Sequence, residues 1–561
     1  MVRPPAYRVR GEQNEKDTFS ASDHIDVCLH CRMLRFTRGR GAGGTPSVQE
    51  EAPVTLKIGT TKAPEVLSIM YERDAFGRMN YTGICAAAFV DRGASGELQP
   101  NIMTSWVISE DNTSLVAEFA TDRGILWHDG EALTMEDIMF TFEYDMEVRN
   151  LSYIHGLARI EKIDDTHVRL YFDSPCAYNF LNAIAMTVFV LPKHIWEGID
   201  NPDKYTGPEA AINCGPYRLA SVDRDAQTMY YESVENYWKG DLAADIVSVR
   251  TYDSKDALIM ALCNGEIDAM YDYSSPVDAT KLSSITGVED LNPGMSDNPG
   301  NYQIVFGFNE APTSDLAFRK AVICALDYEL LAVSIGGEEA QVPGAGIVAP
   351  PNLGFREDLP QLAQDVERAQ QILDEAGYLD VDGDGYREMP DGSPMDVLVT
   401  PNSAQTTSIY PRLAEIVSQN LAAVGVKTTI DTEHLVSSDA LREFIYSGTY
   451  EIYLGATTSG KAAHGTAFFY FVQEDNGTHW GTCTIPEVLE TYRGLKTASD
   501  EAAYVETLER LQEQAMEYAI GAALCWDKCY FPYRTDRFEG WSNFPGWGVI
   551  HHDTWCSISV K

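Results

Sequence analysis

The sequence predicts an α/β architecture built on mixed sheets. Two patterns predict it. Short runs alternate apolar and polar residues, and between them apolar residues recur at helical spacing and stop at a glycine. Size is the third observation: 561 residues with 44% hydrophobic and 11% aromatic content exceed one typical core and suggest two to four domains or lobes.

Along the chain, residues 1–50 come first and stand apart. They carry eight Lys/Arg against six Asp/Glu and end in the Gly/Pro/Ser-rich run RGRGAGGTPSVQEEAP. This composition predicts a disordered extension or a mis-assigned start, and the segment contains no apolar signal-peptide region. From Thr55, TLKIGT alternates like a strand that opens a sheet. ILWHDGEALTMEDIMFTFEY (Ile125–Tyr144) then crowds His128, Asp129, Glu131, Glu136 and Asp137 together. The crowding is architectural. Thr134 and Asp137 form a capping box, Met135, Ile138, Phe142 and Met146 share a helical face, and Asp129-Gly130 is turn chemistry. Glu131 is a solvated loop charge, and the lone His128 is a hydrogen-bonded structural residue rather than a ligand.

Three later units repeat one logic. In DSKDALIMALCNGEIDAMYD, Ala257, Leu258, Ala261 and Leu262 stripe a helix that Gly265 ends before the strand IDAM. In DVERAQQILDEAGY, Asp365 caps a helix striped by Val366, Ala369, Leu373 and Ala376 and closed by Gly377. In PRLAEIVSQNLAAVGVKTTI, Leu413, Ile416, Val417, Leu421 and Val424 line one face, and Val426, Thr428 and Ile430 alternate after Gly425. No internal repeat is visible.

The net charge is -42, and with +2 in the first fifty residues the remainder carries -44. Such a surface repels phosphate backbones and anionic lipid, which disfavours nucleic-acid and membrane-surface roles. The longest apolar run, FLNAIAMTVFVLP from Phe180, is too short to span a bilayer. Of eleven cysteines, Cys85, Cys263 and Cys324 sit in apolar contexts and read as buried small hydrophobes. Cys28 and Cys31, beside His24 and His30, have metal-ligand spacing but no matching second pair, and Cys525 and Cys529 have a similarly weak claim. DVDGDGYREMPD places Asp380, Asp382, Asp384 and Asp391 at calcium-loop positions, with Gly385 sixth. The closing residue is Asp instead of Glu and a strand follows, so a plain acidic loop is favoured over calcium. No metal or other cofactor is expected. The HHD at His551–Asp553 is a weaker metal motif still.

Ordered motifs across more than three hundred residues resemble one family. ELQPNIMTSW and RGILWHDGEALTMEDIMFTFE are followed by NCGPYRL, ENYWKG, GFNEAPTSDLAFRKAVICALDYELL, DVERAQQILDEAGY and YPRLAEIVSQNLAAVGVKTTI. Together they resemble family 5 of the bacterial extracellular solute-binding proteins, the dipeptide-, oligopeptide- and nickel-type receptors of ABC importers. The resemblance implies a two-lobed periplasmic-binding-protein-like fold of class II type, with mixed sheets, a hinge-closing cleft and an extra subdomain. On that basis 52–85, 214–296 and 520–561 form lobe I, 86–213 an extra subdomain II, and 297–519 lobe III. It implies a monomeric, extracytoplasmic receptor, at the cell surface or in the periplasm, that hands a small solute to the transmembrane subunits of an ABC permease. Members are often lipid-anchored. This chain shows neither signal nor lipid-attachment cysteine, and the composition of residues 1–50 favours a mis-assigned start over a copy that is not exported.

The resemblance also implies where ligand sits. The expected ligand-binding residues are Tyr302, Asn402, Gln405, Thr406, Thr457, Thr458, Ser459, Lys461, His464, Trp480 and Trp526. Short-peptide binders often carry a Trp after the strand matching YEIYLG (Tyr450–Gly455), then an Asp three residues on for the peptide amine. Ala456 and Ser459 stand there. Some hold the ligand carboxylate with Arg, where TPNSAQTTSIY (Thr400–Tyr410) offers Asn402, Gln405 and hydroxyls. Losing both charged anchors points to a neutral or cationic ligand, an oligosaccharide, or a peptide held through its backbone. Lys461 and His464 keep an anionic ligand open. A ligand sensor or chemoreceptor-coupled binding protein is the alternative. A hydrolase is disfavoured, because no Ser nucleophile elbow, P-loop or paired zinc-ligand helix is found.

Overall fold

The TLKIGT run becomes the strand Thr55–Thr60, placed inside a seven-stranded sheet. It pairs in parallel with Ile246–Thr251 and Ala269–Met270, while the outer strands Tyr217–Asp223, Thr228–Ser233, Leu291–Asn292 and Tyr533–Arg534 pair antiparallel. The computed structural model describes residues 52–561 except 71–74, 95, 152, 153, 155, 273, 274, 403–408, 458–465 and 474–479. The expectations for residues 1–50, including Cys28 and Cys31, lie outside the described residues.

A four-stranded antiparallel sheet follows, in the order Met103–Ile108, Ser114–Phe119, His167–Phe172, Leu157–Lys162. Against it lies the helix Met135–Glu147, started by the Thr134–Asp137 capping box. Its stripe explains the packing: Met135, Ile138 and Phe142 are buried with Leu115, Ala117, Val168 and Leu170, and Phe142 stacks on Phe89 at 4.6 Å.

The third large sheet has five strands, ordered Thr428–Ile430, Val397–Pro401, Ile452–Ala456, Tyr302–Phe306, Gly521–Cys525. The first three are mutually parallel, and Tyr302–Phe306 runs antiparallel to both neighbours. Successive side chains point to opposite faces, so both faces must be covered. Ile304, Val399, Ile452 and Leu454 pack under the helices Leu316–Ala325, Tyr328–Gly336 and Ile409–Ala423. Val305 and Tyr453 pack on the other side under Pro486–Thr497 and Glu501–Tyr518. Gly521 is required where the second layer meets the sheet. A Cβ there would sit 2.2 Å from the Phe471 ring and 2.5 Å from the Ile304 carbonyl.

Gly521–Cys525, grouped with lobe I in the sequence reading, hydrogen-bonds at the edge of this five-stranded sheet. The chain leaves it through Lys528–Tyr530, which pairs antiparallel with Met295–Asp297 in a two-stranded ribbon. The ribbon leads from the five-stranded sheet to the seven-stranded one, whose strands Leu291–Asn292 and Tyr533–Arg534 flank it in sequence. Cys263 and Cys324, expected to be buried, are only half-buried on their helices. No helix among the described residues is long and apolar enough to cross a membrane.

A buried ion pair closes the seven-stranded sheet. Asp268 is 2% exposed, accepts from the Lys57 amide at 2.8 Å, and receives Arg537 on both carboxylate oxygens at 2.8 Å. Arg537 also donates to the Thr55 carbonyl at 2.9 Å, tying the first strand to the end of the chain. Removing one partner of a buried pair costs about 3–5 kcal/mol, less where solvent reaches it. Since Arg537 is 40% exposed, Arg537→Ala is expected to cost about 2–3 kcal/mol in urea unfolding. The loss should shrink in an Asp268→Asn background, where no buried charge is orphaned.

Candidate functional site

Strand direction decides where the five-stranded sheet can present chemistry. The carboxyl ends of Val397–Pro401, Ile452–Ala456 and Gly521–Cys525 emerge at one edge, together with the amino end of Tyr302–Phe306. Ligands of open α/β sheets bind outside such carboxyl ends, where chain reversals leave a crevice. The edge is stitched by its own backbone. Thr457 donates its amide to the Asn301 carbonyl at 2.9 Å, and Asn301 returns its amide to the Thr457 hydroxyl at 2.8 Å. Asn301 reaches the Ile347 carbonyl at 2.6 Å, and the Asn402 amide bonds the Leu454 carbonyl at 3.0 Å. Tyr302 and Tyr410 then lie ring to ring at 5.7 Å.

Gln303, one residue along, is fully buried, and among the described residues neither its amide nitrogen nor its amide oxygen has a hydrogen-bond partner. It faces Gly455 across one neighbouring strand and Ala523 across the other. The Tyr453 ring folds over Gly455, so close that a Cβ there would lie 2.6 Å from it. Tyr453 continues into an aromatic wall: Trp480 sits 6.2 Å from it, 5.5 Å from Tyr446 and 5.5 Å from Tyr470. The Tyr450 hydroxyl fixes the wall by donating to the Trp480 carbonyl at 2.8 Å. A neutral amide beside small residues and aromatic faces suits a polar solute with flat apolar surfaces.

The electrostatics are acidic. Burial holds the Tyr302 phenol well above the ordinary tyrosine range, with smaller contributions in the same direction from Tyr410, Asp527 and Asp278. Asp527 follows the ribbon's edge and receives the Asn298 amide at 2.8 Å. Burial pushes its carboxyl from 3.8 up to about 7, against the opposing pull of the Asn298 hydrogen bond. The seven-stranded sheet presents its own parallel carboxyl ends nearby in sequence. There Asp272 accepts from the Thr60 hydroxyl at 2.8 Å, the Thr61 amide at 2.7 Å and Lys255 at 2.5 Å.

The structure thus brings Tyr302, Asn402 and Thr457 to one sheet edge, with Trp480 on the adjoining face. Trp526 lies near the same edge but is 6% exposed, packed on Ala349 and Ala523 and bridged through its backbone to Gln341. Gln405, Thr406, Thr458, Ser459, Lys461 and His464 lie outside the described residues. The sequence reading missed Gln303, Tyr410, Tyr453, Asp272 and Asp527. The two polar residues flanking Tyr302 in NYQ (Asn301–Gln303) were the available signal for the first of these.

His128 and the acidic loop are held by hydrogen bonds of their own surroundings. His128 bonds the Gly215 carbonyl at 3.1 Å and accepts from the Asn213 amide at 3.4 Å, and burial pushes its imidazole down to about 4. The oxygens of Asp380, Asp382 and Asp384 lie within 4.8 Å of one another. All three are exposed and accept amides of their own loop. Asp391, the expected closing ligand, is turned away onto Ser393, whose hydroxyl and amide it receives at 2.6 and 3.0 Å.

The profile of the bacterial extracellular solute-binding proteins, family 5 Middle, matches residues 97–479. Heme-binding protein A of Haemophilus influenzae is 24% identical over 365 residues, covering 60% of this chain and 62% of that protein. The dipeptide-binding protein of Escherichia coli is 23% identical over 363 residues, covering 60% of this chain and 63% of that one. The chain therefore spans about three-fifths of the length of these relatives. A periplasmic oligopeptide-binding protein of an oligopeptide ABC transporter from Thermotoga maritima shares the fold. Its TM-score is 0.76 at 21% identity, covering 90% of this chain and 99% of that one.

Asp527 generates a pH prediction. Its folded value lies above its unfolded one, so between pH 3.8 and about 7 the native state binds more protons than the unfolded state. Stability from this group is full below the unfolded value and falls as pH rises through that window. Urea midpoints measured from pH 4 to 8 should show this slope in the wild type and a flatter one in Asp527→Asn. Parallel profiles would contradict it.

Proposed function

Because this chain belongs to the bacterial extracellular solute-binding proteins, family 5, we propose that it is the receptor of an ABC importer. It captures a small solute at the edge of the five-stranded sheet and delivers it to the permease's transmembrane subunits. It does so as a monomer outside the cytoplasm, by binding alone and without a cofactor. The observation that carries the reading is Gln303. An amide with no protein partner inside a sheet costs about 1–3 kcal/mol, an expense that folding alone does not justify. A bound solute that donates to its oxygen and accepts from its nitrogen recovers that cost.

The ligand class follows from what surrounds the amide. Tyr302, Tyr410, Tyr453 and Trp480 supply flat faces, and no fixed charged anchor for a zwitterion is found in 402–408 or at Ala456 and Ser459. A neutral or cationic polar solute fits best, such as an oligosaccharide or a peptide held through its backbone. Relatives named for heme and for dipeptides support the view that this frame accepts unlike cargo, with identity set by side chains at the sheet edge. Closure would proceed by hinge motion about the ribbon.

Thermal-shift screening against peptides, sugars and amines is expected to yield a stabiliser, since a ligand of the native state raises the melting temperature. Gln303→Leu should then weaken that ligand by about tenfold while leaving the melting temperature of the unliganded protein unchanged or higher. Folded protein with no hit in any class would count heavily against the receptor reading.

Free dipeptides should bind poorly. With Ala456 and Ser459 in place of the aromatic-and-acid pair and no guanidinium in 402–408, two charge-assisted contacts worth about 1.5–3 kcal/mol each are missing. Together that is roughly a hundred-fold to ten-thousand-fold in affinity. Tight binding of a mixed dipeptide pool in isothermal titration would return the protein to the ordinary peptide-receptor reading.

A further inference from the structure

The C-terminal HHD stands apart from the sheet edge and has no part in solute capture. His551 is 1% exposed, and its Nε2 bonds the Ser542 carbonyl at 2.9 Å. A carbonyl accepts only from N–H, so Nε2 carries the proton, and the Nδ1 lone pair accepts a long hydrogen bond from the Asp553 amide at 3.4 Å that an ion would replace. A histidine whose second nitrogen is held by a backbone carbonyl is the arrangement in which metal ligands are found.

The next residue supplies an independent observation. The His552 side chain is 7% exposed, and among the described residues neither of its ring nitrogens has a hydrogen-bond partner. Burying an imidazole unpaired is costly, and neither the fold nor the solute site uses this one. Between the two rings lies Asp553, each oxygen facing one of them. Oδ2 is 4.0 Å from His551 Nδ1, and Oδ1 is 3.5 Å from His552 Nε2. The three donors lie within 4.8 Å of one another. Around a tetrahedral ion with metal–ligand distances near 2.1 Å, donors are about 3.4 Å apart. Small side-chain rotations close that difference.

We propose that His551 Nδ1, His552 Nε2 and the Asp553 carboxylate bind one divalent transition-metal ion of the zinc type. Two imidazoles and one carboxylate are borderline donors, which favour zinc, cobalt, nickel or copper over calcium or magnesium. Phe544 packs against both rings, at 5.2 and 6.0 Å, and walls the site. Asp553 remains 51% exposed, so an ion can enter from that side and keep a water in its remaining position. The acidic Asp380–Asp384 loop lacks any such imidazole and belongs to a different ion chemistry.

The test uses the untagged full chain, stripped with chelator and titrated with zinc chloride by calorimetry. A second titration uses the same chain carrying Cys28→Ser and Cys31→Ser, so that thiols of the first fifty residues do not contribute. One ion should bind both proteins with a dissociation constant below about 10 μM. Cobalt in place of zinc should give visible d–d absorption. His552→Ala removes a side chain that makes no hydrogen bond in the fold, so the protein should stay folded, with some loss of melting temperature from lost packing, while zinc affinity falls at least about tenfold. Asp553→Asn, altering an exposed group, should weaken zinc similarly, whereas Asp382→Ala should leave it unchanged. Absence of saturable binding below about 100 μM would overturn the proposal. So would unchanged affinity in folded His552→Ala and Asp553→Asn, or loss of the site in the Cys28/Cys31 variant.

Discussion

Two short strands, Met295–Asp297 and Lys528–Tyr530, hydrogen-bond to each other and carry the chain from one large sheet to the other. The rest of the site depends on that ribbon. Because the two passes run antiparallel and share a register, the five-stranded sheet cannot shift against the seven-stranded one without bending both together. The Asn298–Asp527 hydrogen bond sits where the ribbon enters the five-stranded sheet, beside Tyr302. Hinge and ligand edge are therefore built from neighbouring residues.

A second set of contacts joins the four-stranded region to the helical layer. Asn112, 3% exposed and in the left-handed conformation at φ 56°, donates to the carbonyls of Thr497 and Ala498. Tyr178 meets Tyr504 ring to ring at 6.0 Å. These contacts are few and local compared with the sheets they join. That is the proportion expected where two bodies meet and part while each keeps its own core. The net charge of -42 favours colloidal stability through self-repulsion.

Much of the fold was legible because its signals are local. The Thr134–Asp137 box, the Asp365 cap and the glycine stops at Gly377 and Gly425 declare helix ends within a few residues. The stripe from Leu413 to Leu421 declares a buried face. The site was legible only in outline. Thr457 and Asn301 are 156 positions apart and meet through strand pairing that no local pattern encodes. Gln303 looks like an ordinary outward polar residue of an alternating strand, but this sheet is covered on both faces, so alternation marks no exposed side. Asp527 and Asp272 are two acids among 84 Asp and Glu, and only burial distinguishes them.

The clamp between Asp268 and Arg537 has a consequence for how the molecule is made. Arg537 bonds the Thr55 carbonyl across 482 positions, and the strand Ala269–Met270 waits for Tyr533–Arg534 as its outer neighbour. The five-stranded sheet likewise lacks its last strand until Gly521–Cys525 exists. A ribosome releasing this chain from its amino end therefore finishes neither sheet until almost the whole polypeptide has been synthesised. Pairing over such distances is slow, because loop closure precedes the contacts that reward it. The four-stranded sheet closes within residues 103–172, whereas both larger sheets lock only with the segment 521–537.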